Sequence, residues 1–128
     1  MKAIISVDDD QLITQVLKFQ LAKHFDPNEV IIESLNSPEM TEALVDEITK
    51  MGIDVALLIL DYQMPKMNGA QLIRVLQSKF PELRYIMLSG QANDIVVEEL
   101  MNEKLINAFL HKPWNEDSLI NLVKQFVV

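Results

Sequence analysis

The chain of 128 residues has the length of one domain, predicted here as residues 1–128, and its ordinary share of apolar (49%) and charged (23%) residues excludes a disordered or fibrous protein. A net charge of −8 argues against direct nucleic-acid binding, and the absence of cysteine excludes disulfides and thiolate metal sites. Without an apolar run near the ~20 residues that cross a bilayer, or a signal-peptide pattern after Met1, a cytoplasmic protein that avoids membranes is expected.

Five short segments rich in Val, Ile, Leu and aromatic residues predict β-strands. They are residues 3–7, 30–35, 55–60, 85–88 and 108–110. The third segment contains no polar residue, which is typical of a parallel strand covered on both faces. We therefore expect this strand at the centre of a sheet.

Segments with the helical spacing of apolar residues follow each strand. They are residues 12–25, 37–51, 68–79, 93–104 and 115–126. Ser37 is the predicted cap of the second helix, with Pro38 as its first residue, and Asn93 and Asn115 are predicted caps of the last two. Strict alternation of strands and helices predicts right-handed crossovers and a parallel sheet with helices on both faces.

Chemically active side chains follow four of the five predicted strands. Asp8 and Asp9 follow the first strand, Asp61 the third, Ser89 the fourth and Lys112 the fifth. In a sheet of order 2-1-3-4-5 these four strands are neighbours, and ligands of such sheets bind outside the carboxyl ends of the strands. These side chains are therefore expected to converge on one crevice.

Three carboxylates and one ammonium would give this crevice a formal charge of about −2, which requires a counterion once the site is partly desolvated. Oxygen ligands without His or Cys select a hard cation, and an open site with few carboxylates favours Mg²⁺, with Mn²⁺ as a substitute. Taken alone, residues 8–10 are equally a solvated turn that caps the next helix, and this interpretation is kept for Asp10. Lys112 alone would be a surface lysine, and residues 89–90 alone a turn.

Four motifs resemble those of the response-regulator receiver family, in the family's order and over nearly the whole chain. They are Ile5-Ser6-Val7-Asp8-Asp9-Asp10, Leu60-Asp61-Tyr62-Gln63-Met64-Pro65-Lys66-Met67-Asn68-Gly69, Leu88-Ser89-Gly90, and Lys112-Pro113 three residues after Phe109. The resemblance implies a flavodoxin-like (βα)5 three-layer α/β sandwich with a five-stranded parallel sheet of order 2-1-3-4-5. It also implies a cis peptide bond between Lys112 and Pro113, beside which Trp114 is expected to pack.

The resemblance implies a role for each residue of the crevice. Asp61 would accept a phosphoryl group from a sensor histidine kinase or phosphotransfer protein, and the domain would catalyse only its own phosphorylation and dephosphorylation. Asp9, Asp61 and the backbone carbonyl of Gln63 would ligate Mg²⁺, and Asp8 would act through metal-bound water. Lys112 would stabilise charge on the transferring group.

The same resemblance makes Ser89 and Phe109 a switch, although Phe109 is equally an ordinary core aromatic. The Ser89 hydroxyl would donate to the phosphoryl group and Phe109 would rotate into the vacated space. This would reshape the fourth helix, fifth strand and fifth helix, which would regulate an output domain, a protein partner or a second copy of the chain. Residues 95–97 fan over about 200° of the fourth helix, so at least one should face outward, beside Leu100 and Met101.

Three other classes of protein stay open at this point. A haloacid-dehalogenase-like phosphatase also uses an aspartyl phosphate, but it requires an acid where Gln63 stands and a cap for which the chain has no room. A flavin-binding module would need hydroxyl and backbone donors in place of Asp8 and Asp9. A docking domain independent of phosphorylation would not need the full set of acid, hydroxyl and lysine.

Gln63 and Gln91 are expected to tune the phosphoryl lifetime.

Overall fold

In the computed structural model, residues 1–90 and 93–127 are described, and strands alternate with helices throughout. The elements are β1 Lys2–Val7, α1 Gln11–Ala22, β2 Val30–Leu35, α2 Thr41–Lys50, β3 Asp54–Asp61, α3 Gly69–Lys79, β4 Tyr85–Ser89, α4 Asp94–Asn102, β5 Ala108–His111 and α5 Glu116–Lys124. None of the helices in these two ranges is long and apolar enough to cross a membrane.

The five strands form one parallel sheet of order β2-β1-β3-β4-β5, as predicted. Strand order reverses between β1 and β3, where Val7 pairs with Leu60 at the carboxyl ends. Further along the same edge, Ser89 of β4 pairs with His111 of β5. The residues that end these strands therefore line the edge of the sheet formed by the carboxyl ends of its strands, next to the point where the strand order reverses.

The core lies on both faces of the sheet, because β3 is buried from Val55 to Asp61 and sends alternate side chains to each face. Leu58 and Leu60 pack with apolar residues of α2, α3 and α4, whereas Leu57 and Ile59 pack with those of α1 and α5. This confirms the central position predicted from the unbroken apolar run. The rigid double-sided core holds the strand ends in place.

The second helix begins later than predicted. Residues Pro38–Met40 form a 3-10 turn, and α2 begins at Thr41. Within the described residues the Ser37 side chain makes no capping hydrogen bond, because its hydroxyl donates to the Glu39 carboxylate instead. Ser37 thus takes the predicted N-cap position before Pro38, but of a 3-10 turn and without a capping hydrogen bond from its side chain.

Asn93 does not cap the fourth helix with its side chain either, as far as the described residues show. Its backbone lies at φ −109° and ψ 8°, outside the extended conformation of most N-caps, and its amide donates to the Gln63 side chain at 3.4 Å. Asn115 does cap its helix, by accepting the backbone N–H of Ser118. The Asp10 carboxylate likewise accepts the backbone N–H of Leu12 at 2.9 Å, as expected of a capping residue.

Candidate functional site

The carboxyl ends of four neighbouring strands bring the predicted site residues together. One carboxylate oxygen from each of Asp8, Asp9 and Asp61 lies within 4.8 Å of the others. The ammonium of Lys112 reaches this group from the end of β5, with Nζ 2.9 Å from Asp8 Oδ2 and 3.1 Å from Asp61 Oδ1. Side chains separated by up to 104 positions in the sequence thus share one crevice.

The three carboxylates differ in burial and in hydrogen bonding. Asp8 is 1% exposed and both of its oxygens are engaged, Oδ1 by the backbone N–H of Asp10 and Oδ2 by Lys112. Asp61 is 6% exposed, whereas Asp9 lies at the surface of the crevice. Asp9 and Asp61 are therefore better placed than Asp8 to bind a cation directly.

The charges of the crevice are out of balance. Burial raises the pKa of Asp8, and burial together with the charge of Asp8 raises the pKa of Asp61. Burial would lower the pKa of Lys112, but its hydrogen bonds and charge attraction to Asp8 and Asp61 outweigh this and raise it. One ammonium is thus stabilised by two carboxylates that it neutralises incompletely, which is the condition that a bound cation relieves.

Ser89 brings an unsatisfied hydrogen-bond donor to the end of β4. The side chain is fully buried, and its Oγ has no hydrogen-bond partner among the described residues. A buried hydroxyl left in this way typically costs about 1–3 kcal/mol. The backbone carbonyl of Ser89 accepts the N–H of Lys112 at 2.9 Å, so the hydroxyl and the ammonium come from adjoining strand ends.

The loop after Asp61 is tied to its surroundings by backbone hydrogen bonds. The Tyr62 N–H donates to Leu88 on β4 at 2.9 Å, and the Tyr62 carbonyl accepts from Gly69 at 2.7 Å. Asn68 forms a reciprocal capping box with Gln71 at the start of α3. The loop therefore returns to the sheet at Gly69, close behind Asp61.

Gly69 allows this close return because a side chain would not fit. A Cβ at this position would lie 2.8 Å from the backbone oxygen of Asp61 and 2.8 Å from Sδ of Met87. Met64, in the loop before Gly69, is buried in the core. Gln63 is exposed, and Gln91 lies outside the described residues.

Phe109 lies half-buried on β5, facing the side of the sheet covered by α4. Its ring meets the ring of His111 edge-on, with 5.5 Å between the centroids and 79° between the planes. His111 in turn places Nδ1 3.1 Å from Oδ1 of Asp94, the first residue of α4. Phe109 also lines a groove of about 510 Å³ between β5 and α5, together with Met101.

The fourth helix presents only part of its apolar run to solvent. Ile95 is 76% exposed and Val96 36% exposed, whereas Val97 and Leu100 are buried in the core. The expectation that at least one residue of 95–97 faces outward is confirmed. Leu100 does not contribute to an exposed patch, because it faces the sheet.

Contacts between α1 and the loop after β5 were not predicted from the sequence. The indole N–H of Trp114 donates to Oε1 of Gln20 at 2.8 Å. Two residues further on, Glu116 forms an ion pair with Lys23 and lies 3.3 Å from Nε2 of His24. No spacing in the sequence signals the Gln20–Trp114 pair, since the two residues lie 94 positions apart.

The peptide bond between Lys112 and Pro113 is cis, as expected.

Fold and site together define a flavodoxin-like α/β protein with an acidic crevice that is fit to hold a cation. The chain matches the family model of the response regulator receiver domain over residues 4–124 and belongs to this family. Receivers are signalling domains of two-component systems, and they bind Mg²⁺ through an acidic pocket of the kind formed by Asp8, Asp9 and Asp61.

Individual relatives agree with the family assignment. The chain is 30% identical to the transcriptional regulatory protein DegU of Brevibacillus brevis, over 94% of the chain and 48% of that protein. It is 25% identical to the hydrogenase transcriptional regulatory protein HoxA of Cupriavidus necator, over 97% of the chain and 24% of that protein. The chain thus spans between about a quarter and a half of these relatives. A receiver domain protein from Clostridium thermocellum shares the fold, with a TM-score of 0.79 and 23% identity over 99% of the chain and 94% of that structure.

Proposed function

We propose that the chain accepts a phosphoryl group on Asp61, in a reaction that depends on Mg²⁺, from the phosphohistidine of a sensor kinase or phosphotransfer protein. The observation that carries this proposal is the arrangement around Asp61. Its carboxylate lies beside the ammonium of Lys112 and within 4.8 Å of the carboxylates of Asp8 and Asp9, at the end of a buried strand. A buried nucleophile, a fixed positive charge and a cation-binding pair are the parts that phosphoryl transfer requires.

The residues present fit a hard divalent cation. The donors are oxygen atoms, one of the three carboxylates is exposed, and the two buried ones carry raised pKa values that a nearby cation would lower. Asp9, Asp61 and the backbone carbonyl of Gln63 would hold Mg²⁺ or Mn²⁺, with Asp8 acting through bound water. When bound, the ion supplies charge stabilisation to the phosphoryl oxygens.

The chain's own residues account for the remaining chemistry. A carboxylate oxygen of Asp61 attacks the phosphorus atom, an O–P bond forms, and the bond from phosphorus to the donor's imidazole nitrogen breaks. The imidazole leaves with the electron pair of that bond and takes up a proton. Lys112 stays protonated, because Asp8 and Asp61 raise its pKa, and it stabilises the charge on the transferring group.

Phosphorylation would then change the surface of α4, β5 and α5. The aspartyl phosphate adds roughly one negative charge to the crevice. The unsatisfied hydroxyl of Ser89 is a ready donor to a phosphoryl oxygen, and its movement would draw the β4–α4 connection inward. Phe109 and the groove beside it would be repacked, so that this surface regulates an output domain, a partner protein or a second copy of the chain.

The test is incubation with acetyl phosphate and Mg²⁺ followed by intact-mass spectrometry. The wild-type protein should gain one phosphoryl group, Asp61→Asn should gain none, and the control Asp54→Asn, at the exposed amino end of the same strand, should behave as wild type. Modification of Asp61→Asn would refute the assignment of Asp61. An unmodified wild-type protein would favour the docking domain, and sustained release of phosphate from an aryl phosphate would favour a phosphatase.

A further inference from the structure

The loop that carries Lys112 is fastened to α1 by one well-formed hydrogen bond. Trp114, two residues after Lys112, donates its indole N–H to Oε1 of Gln20 at 2.8 Å. Both side chains are half-buried, and Gln20 lies in the last turn of α1. The bond joins two elements that contribute to the crevice from opposite ends of the sequence, since α1 begins directly after the three aspartates of residues 8–10.

The backbone of Lys112 is held to the sheet by a hydrogen bond to β4. Its backbone N–H donates to the carbonyl of Ser89 at 2.9 Å, which continues the pairing of β5 with β4. Beyond Lys112 the chain leaves the sheet, and the Trp114 side chain bonds to Gln20 of α1. The later contacts of Glu116 with Lys23 and His24 lie at the surface, where even ion pairs hold a loop weakly.

Lys112 lines the same groove as the two hydrogen-bonded side chains. A groove of about 390 Å³ separates α1 from the loop, and its lining includes Val16 and Gln20 on the helix side and Lys112 and Trp114 on the loop side. The lysine stem has four rotatable bonds, so its ammonium reaches Asp8 and Asp61 in one geometry only if the backbone and the groove wall are held. Loss of the Trp114 contact would let the wall move and widen the range of ammonium positions.

We infer that Gln20 and Trp114 are positioning residues for phosphoryl transfer, which act by holding the Lys112 ammonium between Asp8 and Asp61. The inference rests on the proposed reaction at Asp61. Neither side chain touches the reacting atoms, and their effect passes entirely through Lys112. A displacement of about 1 Å in a charge-stabilising group is enough to slow a reaction by one to two orders of magnitude.

A double-mutant cycle tests this route. Phosphorylation by acetyl phosphate with Mg²⁺ is followed by intact-mass spectrometry for Gln20→Leu and Trp114→Phe, each made in the wild-type chain and in Lys112→Ala. In the wild-type chain we expect each substitution to slow the reaction about tenfold. The Lys112→Ala chain should itself react slowly, and we expect neither substitution to slow it further, because the group they position is gone.

Matched variants separate positioning from a general loss of structure. Gln20→Glu keeps the acceptor oxygen and should restore most of the rate, and Gln15→Leu, the same kind of change at an exposed position of α1, should leave it unchanged. Mg²⁺ affinity should be the same in Gln20→Leu and wild type.

Two outcomes overturn the inference. One is a wild-type rate in Gln20→Leu and Trp114→Phe. The other is that both substitutions slow the reaction as much in the Lys112→Ala chain as in the wild-type chain. A wild-type protein that takes no phosphoryl group would instead refute the proposed function itself.

Discussion

The ammonium of Lys112 donates a hydrogen bond to one oxygen of Asp8 at 2.9 Å, and the other oxygen of Asp8 accepts one from the backbone N–H of Asp10 at the same distance. The most buried carboxylate of the crevice is therefore already engaged inside the protein. Asp9, its neighbour in sequence, points to the open side of the site. Two adjacent aspartates thus offer one internal partner for the lysine and one external ligand for a cation.

This division predicts different effects on Mg²⁺ binding. Asp9→Asn should weaken binding about tenfold more than Asp8→Asn, because it removes the negative charge of a direct ligand whereas the second change acts through the orientation of other groups. Asp10→Asn is the matched control, since asparagine keeps the capping hydrogen bond to Leu12. Titration calorimetry measures all three, and equal affinity of wild type and Asp9→Asn would contradict the assignment.

Removal of the Asp61 charge should stabilise the protein in the absence of divalent cations. Burial and the charge of Asp8 raise the pKa of Asp61 in the folded state above its ordinary value of 3.8, so the folded protein binds this proton more tightly than the unfolded chain does. Stability therefore falls as the pH rises from 3.8 through the folded pKa, and it stays lower above that pKa.

Asp61→Asn should accordingly melt at a higher temperature than wild type at neutral pH in EDTA, by about 4 °C for each 1 kcal/mol regained. The difference should shrink as the pH is lowered towards 3.8, because Asp61 is then protonated in both states. Addition of Mg²⁺ should raise the melting temperature of wild type and not that of Asp61→Asn. Asp54→Asn is the control. If Asp61→Asn is less stable than wild type at neutral pH, the negative charge of Asp61 is well compensated in the folded protein.

The tight return of the chain at Gly69 predicts a steric effect. Gly69→Ala would place a methyl group 2.8 Å from the Asp61 carbonyl and the Met87 sulfur, and overpacking of this kind typically costs about 1–3 kcal/mol. At Gly90 an added Cβ would meet no heavy atom of the described residues within 4 Å, so Gly90→Ala should change stability by less than about 0.5 kcal/mol. Urea denaturation compares the two. Equal stability would mean that α3 shifts away from β3 at little cost.

The sheet was predictable because its signals are local. The unbroken apolar run of residues 55–60 indicated a central strand, and residues 8, 61 and 112 came together because parallel strands end at one edge. Helix starts were harder to predict, since Ser37 and Asn93 can each bond to another side chain instead of the helix backbone, and sequence spacing does not say which bond forms.

Details of the site depend on side-chain packing and were beyond the sequence. The choice of Asp8 over Asp9 as the partner of Lys112 follows from which carboxylate is turned inward at the end of β1. The Gln20–Trp114 bond requires the docking of α1 against the loop after β5. Neither contact leaves a periodic or motif-like trace, because each joins residues from distant parts of the chain.

Ser89 should matter after phosphorylation and little before it. Ser89→Ala removes a buried hydroxyl that lacks a partner in the described residues, so the free energy of unfolding of the unmodified protein should stay the same or rise by about 1 kcal/mol. With Mg²⁺ and beryllofluoride, a mimic of the phosphoryl group, the amide shift changes of residues 93–112 should be much smaller than in wild type. Ser89→Thr keeps the donor and serves as control. Identical shift changes in Ser89→Ala and wild type would remove Ser89 from the switch.

The exposed side of α4 should take part in self-association of the protein once Asp61 carries a phosphoryl group or its mimic. Ile95 and Val96 face solvent next to the surface that Ser89 and Phe109 would reshape, whereas Val97 belongs to the core and is unsuited to a charge substitution. Beryllofluoride with Mg²⁺ should strengthen self-association of the wild-type protein in sedimentation, and Ile95→Glu with Val96→Glu should abolish the gain, because two carboxylates cannot be buried in an apolar contact without a partner.

Val75→Glu supplies the matched control for this surface, since Val75 is a similarly exposed valine on a different helix, α3. It should associate as wild type does. Each variant should also take up beryllofluoride, which the amide shifts of residues near Asp61 report, so that a failure to associate can be assigned to the surface and not to the crevice. If the mimic changes neither the sedimentation of wild type nor the amide shifts of residues 93–112, then the α4–β5–α5 surface does not respond to the charge at Asp61, and the output would have to be read from another face of the sheet.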